Sequence, residues 1–199
     1  MLYKYRNWLY NTNFSRAISK LVILKISPNL ITFFGLVFGV IAAYLIYKHY
    51  LLLAIIPLVL SGLCDLCDGW VARLSNKETK FGVIFDVTLD KYVEGFVGLG
   101  FSFVTPGFLV PGYIWVIIAV FGSIIISLVS NVGAALSQEK PFKLASRFDR
   151  GVIIVLGLIL ANFLGDIYLT YTAVFVAAIT HLTVVSLVIS YYKILKNKK

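Results

Sequence analysis

Apolar stretches follow one another from residue 30 to residue 194, parted only by short polar or Pro/Gly-rich connections. The hydrocarbon core of a bilayer takes about 20 apolar residues per helix. No backbone N–H or C=O can stay unpaired there, so such a chain folds as helices packed side by side in lipid. A hydrophobic content of 60% and a mean hydropathy of +0.92 exclude an ordinary soluble domain. The pattern predicts six spans: 30–47, 51 into the region of Asp65, 82–105, 113–136, 151–164 and 167–194. Lys48, His49 and Tyr50 read as a tight turn, PGFLVPG (106–112) as a proline–glycine turn, and SQEKPFKLASRFDR (137–150) as a basic loop.

Residues 1–27 mix basic side chains with Tyr3, Tyr5, Trp8, Tyr10 and Phe14, a composition suited to an amphipathic helix lying in the membrane interface. Ser27-Pro28-Asn29 ends it, because the residue before a proline disfavours the helical region. The expectation is one all-α integral membrane domain over 1–199: an interfacial helix (1–27) and a six-span bundle (28–199). The first long apolar run starts too far in, and is too long, for a cleavable signal peptide. Sixteen of the eighteen basic residues fall in segments on one side, with Lys48 opposite and Lys91 within a span. The positive-inside rule then places both termini and the 65–90 loop in the cytoplasm. The net charge of +9 is thereby a topology signal, and nucleic-acid binding is not expected.

Four aspartates interrupt this apolar chain in DLCDGWVARLSNKETKFGVIFDVTLD, residues 65–90. A carboxylate at membrane depth is costly and points to function. Asp65 and Asp68 are spaced i, i+3, and Asp86 and Asp90 i, i+4, so each pair shares a helix face. The stretch between them (70–82) reads as the connection of two antiparallel helices, across which the four carboxylates converge. Like charges share a small volume only when some are protonated or when cations intervene. Oxygen-only ligands suit Mg²⁺, Mn²⁺ or Ca²⁺. Gly69 and Ala72 permit close approach of a ligand or a helix, and Arg73 adds a fixed positive charge suited to phosphate. Together these describe a diphosphate site. Asn29 and Thr32, at the mouth of the first span, fit capping as well as ligand contact. Cys64 and Cys67 form a CxxC without the partners zinc needs, and read as packing residues. His181 reads as packing and Asn131 as an interhelical hydrogen bonder.

The run Asp65-x2-Asp68-Gly69-x2-Ala72-Arg73-x8-Gly82-x3-Asp86-x3-Asp90 resembles the signature of the CDP-alcohol phosphotransferases (phosphatidyltransferases), eight positions over 26 residues. Pro28, Asn29 and Thr32 resemble a Pro-Asn-x-x-Thr element that precedes the family's first span. The resemblance implies transfer of a phosphatidyl or archaetidyl group from a CDP-linked lipid to a small polar alcohol, with CMP released. It implies that Asp65, Asp68 and Asp86 hold divalent cations, Mg²⁺ or Mn²⁺ and two in number. Asp90 would be the general base and a further ligand. Asn29, Thr32, Asp65, Asp68, Gly69, Ala72, Arg73 and Gly82 would form the nucleotide site. It also implies a homodimer, for which Gly95, Gly98 and Gly100 offer close helix contact.

For the acceptor, the SRFDR stretch resembles the branch that uses inositol phosphate, with Arg147 and Arg150 forking onto the phosphate. Asp149 stands where that branch has glutamate. Serine, glycerol phosphate and a soluble CDP-inositol donor remain alternatives. An aromatic prenyltransferase would need two separated Asp-rich motifs, and this chain has one. A cation transporter would not need Gly69, Ala72, Arg73 and Gly82 at these spacings.

Overall fold

The computed structural model describes residues 27–75, 77–139 and 141–197. The interfacial helix expected over 1–27 lies, Ser27 apart, outside these residues. Six helices form: α1 (Pro28–Tyr47), α2 (Leu51–Leu74), α3 (Lys80–Val104), α4 (Gly112–Ser137), α5 (Arg147–Leu164) and α6 (Ile167–Asn197).

The helix ends have local causes. Ser27 caps α1, its hydroxyl accepting from the Leu30 N–H at 3.3 Å, and Pro28 takes the first helical position, where its missing N–H costs nothing. Thr79 caps α3 by accepting from the Gly82 N–H at 2.9 Å. Ser146 and Asp149 form a reciprocal capping box at the start of α5. Gly165 ends α5 at φ +110°, a backbone angle that L side chains rarely adopt. The predicted spans all appear as helices. The difference lies at 70–74, which continues α2, so the connection to α3 is only residues 75–79. That segment carries Trp70 and Val71, whose burial against Ile31 rewards another helical turn.

The helices pack in a ring whose order is not the chain order: α1–α2–α5–α6–α4–α3 and back to α1. Thus α2 and α3, neighbours in sequence, are held together by α1 lying against both. Ser61 of α2 donates to the carbonyl of Gly35 in α1 at 2.8 Å. On the other flank, a Cβ on Gly100 would lie 2.5 Å from the Ala43 carbonyl oxygen, and one on Gly39 2.8 Å from a Val93 methyl. Glycine at these two positions lets α1 and α3 approach backbone to backbone. Gly98 is likewise used within the chain, against Val120 of α4, whereas Gly95 faces open space.

Four helices, α1, α2, α4 and α6, are long and apolar enough to cross a membrane. The two others are set apart by charge: α3 carries Asp86, Asp90, Lys91 and Glu94, and α5 opens with Arg147, Asp149 and Arg150. Together with α1 and α2 they build the site.

Candidate functional site

Asp65 and Asp68 stand on the C-terminal half of α2, Asp86 and Asp90 on the N-terminal half of α3. With α1 fixing both helices, carboxylate oxygens of Asp65, Asp86 and Asp90 come within 4.8 Å of one another. Asp68 lies just outside this trio. It is buried, and its Oδ2 has no hydrogen-bond partner; the same holds for Oδ1 of Asp86. Buried carboxylate oxygens are normally paired, so two orphans in one acidic cluster mark a place built for something else. The donor set is oxygen only, which fits a hard divalent cation. Thr32, Asp65, Asp68, Asp90 and Arg147 line one small pocket.

Arg147, the first residue of α5, reaches this cluster from across the ring. Its Nη1 donates to Asp65 Oδ1 and lies against Asp90 Oδ2. Arg150, one turn on, does something different. It is buried, with Nη2 on Oε1 of Glu94 at 3.1 Å and Nη1 on the Ala145 carbonyl at 3.4 Å. Glu94 also takes the Lys91 ammonium at 2.5 Å. The SRFDR stretch therefore divides its labour: Ser146 and Asp149 cap the helix, Arg147 and Arg150 point inward, and Phe148 points out. Glu94 lies outside the acidic motif, yet the sequence carries a signal for it: it continues the i, i+4 series of Asp86 and Asp90.

The residues expected to hold a nucleotide gather at the same end of the molecule. Gly82, at the start of α3, lies beside Asn29 at the start of α1; a Cβ there would sit 3.4 Å from Asn29 Oδ1. Thr32 donates to the Pro28 carbonyl at 3.1 Å, one turn back. A Cβ on Gly69 would sit 3.6 Å from the Arg73 guanidinium, in ordinary contact with it. Arg73 is exposed and lies 5.9 Å from the centre of the Trp70 ring. Ala72 is half-buried between them in sequence.

Residues of α2 to α6 line a half-open cavity of about 590 Å³. Its walls are apolar, with Val97, Phe101, Val116 and Val176 among them, and Asp65, Glu94, Arg147 and Arg150 are its charged members.

Residues 25–192 match the family described as CDP-alcohol phosphatidyltransferase. The chain belongs to this family. Among its relatives, the phosphatidylinositol phosphate synthase of Corynebacterium glutamicum is 33% identical over 150 residues, covering 71% of this chain and 67% of that protein. The archaetidylinositol phosphate synthase of Methanothermobacter thermautotrophicus is 27% identical over 139 residues, covering 70% and 69%. Two relatives from Aquifex aeolicus are spanned over only 43% and 27% of their length. In fold, the chain superimposes on the Mycobacterium tuberculosis phosphatidylinositol phosphate synthase solved with CDP-DAG bound. The TM-score is 0.76 at 22% identity, over 89% of this chain and 92% of that one. The same mycobacterial protein has been solved in complex with manganese and citrate, at a TM-score of 0.75.

The remaining polar residues of this family member lie apart from the acidic cluster or pack beside it. Cys64 and Cys67 are free thiols packed near Ile31 and Val71. His181 directs Nδ1 to the Ala177 carbonyl at 2.9 Å and packs against Gly122. Asn131, expected to bond across helices, instead faces outward from α4, because the neighbouring Ser130 and Gly133 face α6 and meet Tyr191.

Proposed function

We propose that this protein transfers the phosphatidyl or archaetidyl group of a CDP-linked lipid to an inositol phosphate, releasing CMP in phospholipid biosynthesis. The observation that carries the reading is the convergence of Asp65, Asp86 and Asp90 beside Arg147 at the edge of an apolar cavity. The relatives' names and the mycobacterial structure with CDP-DAG support the same substrates.

Asp65, Asp68, Asp86 and Asp90 would hold divalent cations, Mg²⁺ or Mn²⁺ and two in number. When bound, these supply Lewis-acid charge that eases attack on a diphosphate and stabilises the departing CMP oxyanion. Asn29, Thr32, Gly69, Ala72, Arg73 and Gly82 bind the cytidine end. The lipid tails enter the apolar cavity, whose volume suits hydrocarbon and whose charged members stand beside the diphosphate. Asp90 takes the proton of the acceptor hydroxyl as its oxygen bonds to the lipid-bearing phosphorus and the bond to CMP breaks. Arg147 and Arg150 bind the acceptor phosphate, aided by the N-terminus of α5. Glu94 keeps Arg150 in place.

In the same reading, α3 and α5 cross the membrane with the four apolar helices, their charges turned into the ring, giving six spans in a single domain. Both termini and the site face the cytoplasm, and the chain pairs as a homodimer.

The test is purified enzyme with CDP-diacylglycerol, Mg²⁺ or Mn²⁺, and inositol phosphate, inositol, serine or glycerol phosphate in turn, with CMP as the readout. Inositol phosphate should support turnover. Losing one charged hydrogen bond, worth roughly 1.5–3 kcal/mol, should in Arg147→Ala raise the KM for inositol phosphate about ten- to a hundred-fold. The KM for the donor should stay unchanged. Turnover with serine or free inositol, and none with inositol phosphate, would overturn the acceptor assignment.

A further inference from the structure

The Arg147 guanidinium lies on two of the three carboxylates that converge at this site. Asp65 and Asp90 belong to the trio whose oxygens are close enough for one cation, and Arg147 Nη1 contacts both. The contact with Asp90 reaches across the ring from α5, a helix that packs against α2 and α6 and not principally against α3. The neighbouring arginine is not equivalent, since Arg150 has its own carboxylate in Glu94. Nor does Arg147 satisfy the whole cluster: Asp68 Oδ2 and Asp86 Oδ1 keep no partner. A guanidinium and a divalent cation compete for the charge of the same carboxylates, and each repels the other.

We propose that Arg147 competes with the divalent cation for Asp65 and Asp90. Cation binding turns the guanidinium out of the carboxylate cluster and toward Arg150 at the charged edge of the cavity, where the acceptor phosphate is taken up. The inference rests on the metal and acceptor assignments above, and it adds an order to them. A cation that displaces Arg147 makes an arginine available to phosphate. By linkage, phosphate that holds Arg147 away strengthens cation binding by the same factor. Arg147 then guards against a phosphate-loaded but cation-free site, in which no transfer could follow.

The plainer role for Arg147 is a structural tie between α2, α3 and α5. The two roles differ in sign. If Arg147 only ties the helices, removing it lets the carboxylates spread and weakens cation binding. If it competes, removing it strengthens cation binding.

The experiment is a Mn²⁺ titration of the purified full-length chain, without donor or acceptor, with free Mn²⁺ read by electron paramagnetic resonance. Arg147→Met keeps an unbranched apolar stem and removes the charge, and Arg147→Gln is a second neutral variant should the first fail to fold. Either should bind Mn²⁺ about tenfold more tightly than the native chain, which is about 1.4 kcal/mol. Arg147→Lys, which keeps the charge, should move the affinity much less. Lys48→Met, which removes a charge from the far turn, should not move it at all. Unchanged or weaker Mn²⁺ binding in the neutral variants would overturn the competition, as would equal tightening in Arg147→Lys. If the native chain itself does not bind Mn²⁺, or binds it no better than Asp86→Asn, the metal assignment fails and the competition with it.

Discussion

The seam between α1 and α3 and the seam between α2 and α5 hold the same site in opposite ways. Along α1 and α3 the contact is close and apolar: Gly100 lies on the Ala43 backbone and Gly39 on Val93. Between α2 and α5 the notable bond is ionic, Arg147 to Asp65, beside the apolar cavity. Packed backbone has no alternative arrangement of similar energy, so the first seam fixes where Asp86 and Asp90 stand relative to α1. An ion pair can exchange partners, so the second seam can respond to a cation or a phosphate. The rigid seam sets the geometry of the carboxylates, and the ionic seam is where substrates change the site.

Three substitutions break or sharpen this contrast. The largest effect on stability is expected at the charged joint that should not exchange. Glu94→Ala leaves Arg150 and Lys91 without their shared carboxylate, and breaking a buried pair costs about 3–5 kcal/mol. Thermal unfolding in mild detergent should show a large fall in Tm, and a change within error would mean that Glu94 is dispensable. Next comes the close seam. Gly100→Leu forces a side chain onto the Ala43 carbonyl, and overpacking of this kind costs about 1–3 kcal/mol. Its fall in Tm should come with reduced Mn²⁺ affinity, because α3 carries the carboxylates; unaltered affinity would detach the seam from the site. The smallest effect belongs at the opposite end. His49 meets Asp166 at 3.1 Å, with both side chains about half exposed. Such pairs contribute about 0–1 kcal/mol, so His49→Ala should leave Tm and CMP release within error of the native chain.

Much of this was legible in the sequence, for reasons that can be named. Span boundaries follow from Pro28, the 48–50 turn, PGFLVPG and Gly165, all local signals, and the helices begin and end close to them. The acidic motif follows from spacing alone. The ring order does not. Asp65 and Asp90 look like partners across one helix pair, yet α1 holds α2 and α3 in register, and that depends on Gly39, Gly100 and the Ser61 hydroxyl meeting particular atoms. The two arginines of SRFDR look equivalent at i, i+3. They differ because Glu94, 56 residues away, takes Arg150 and leaves Arg147 to the aspartates.

The central claim is that the α2 and α3 carboxylates form one cation-dependent site for phosphatidyl transfer, with Asp90 taking the acceptor's proton. CMP release from CDP-diacylglycerol by Asp90→Asn, measured beside the native chain with Mn²⁺ and inositol phosphate, tests it most directly. A positioned general base contributes roughly 10²–10⁴-fold. The account predicts a loss of that size with donor binding retained, and no CMP from the native chain once the cation is chelated. Near-native turnover in Asp90→Asn, or CMP release indifferent to chelation, would contradict it.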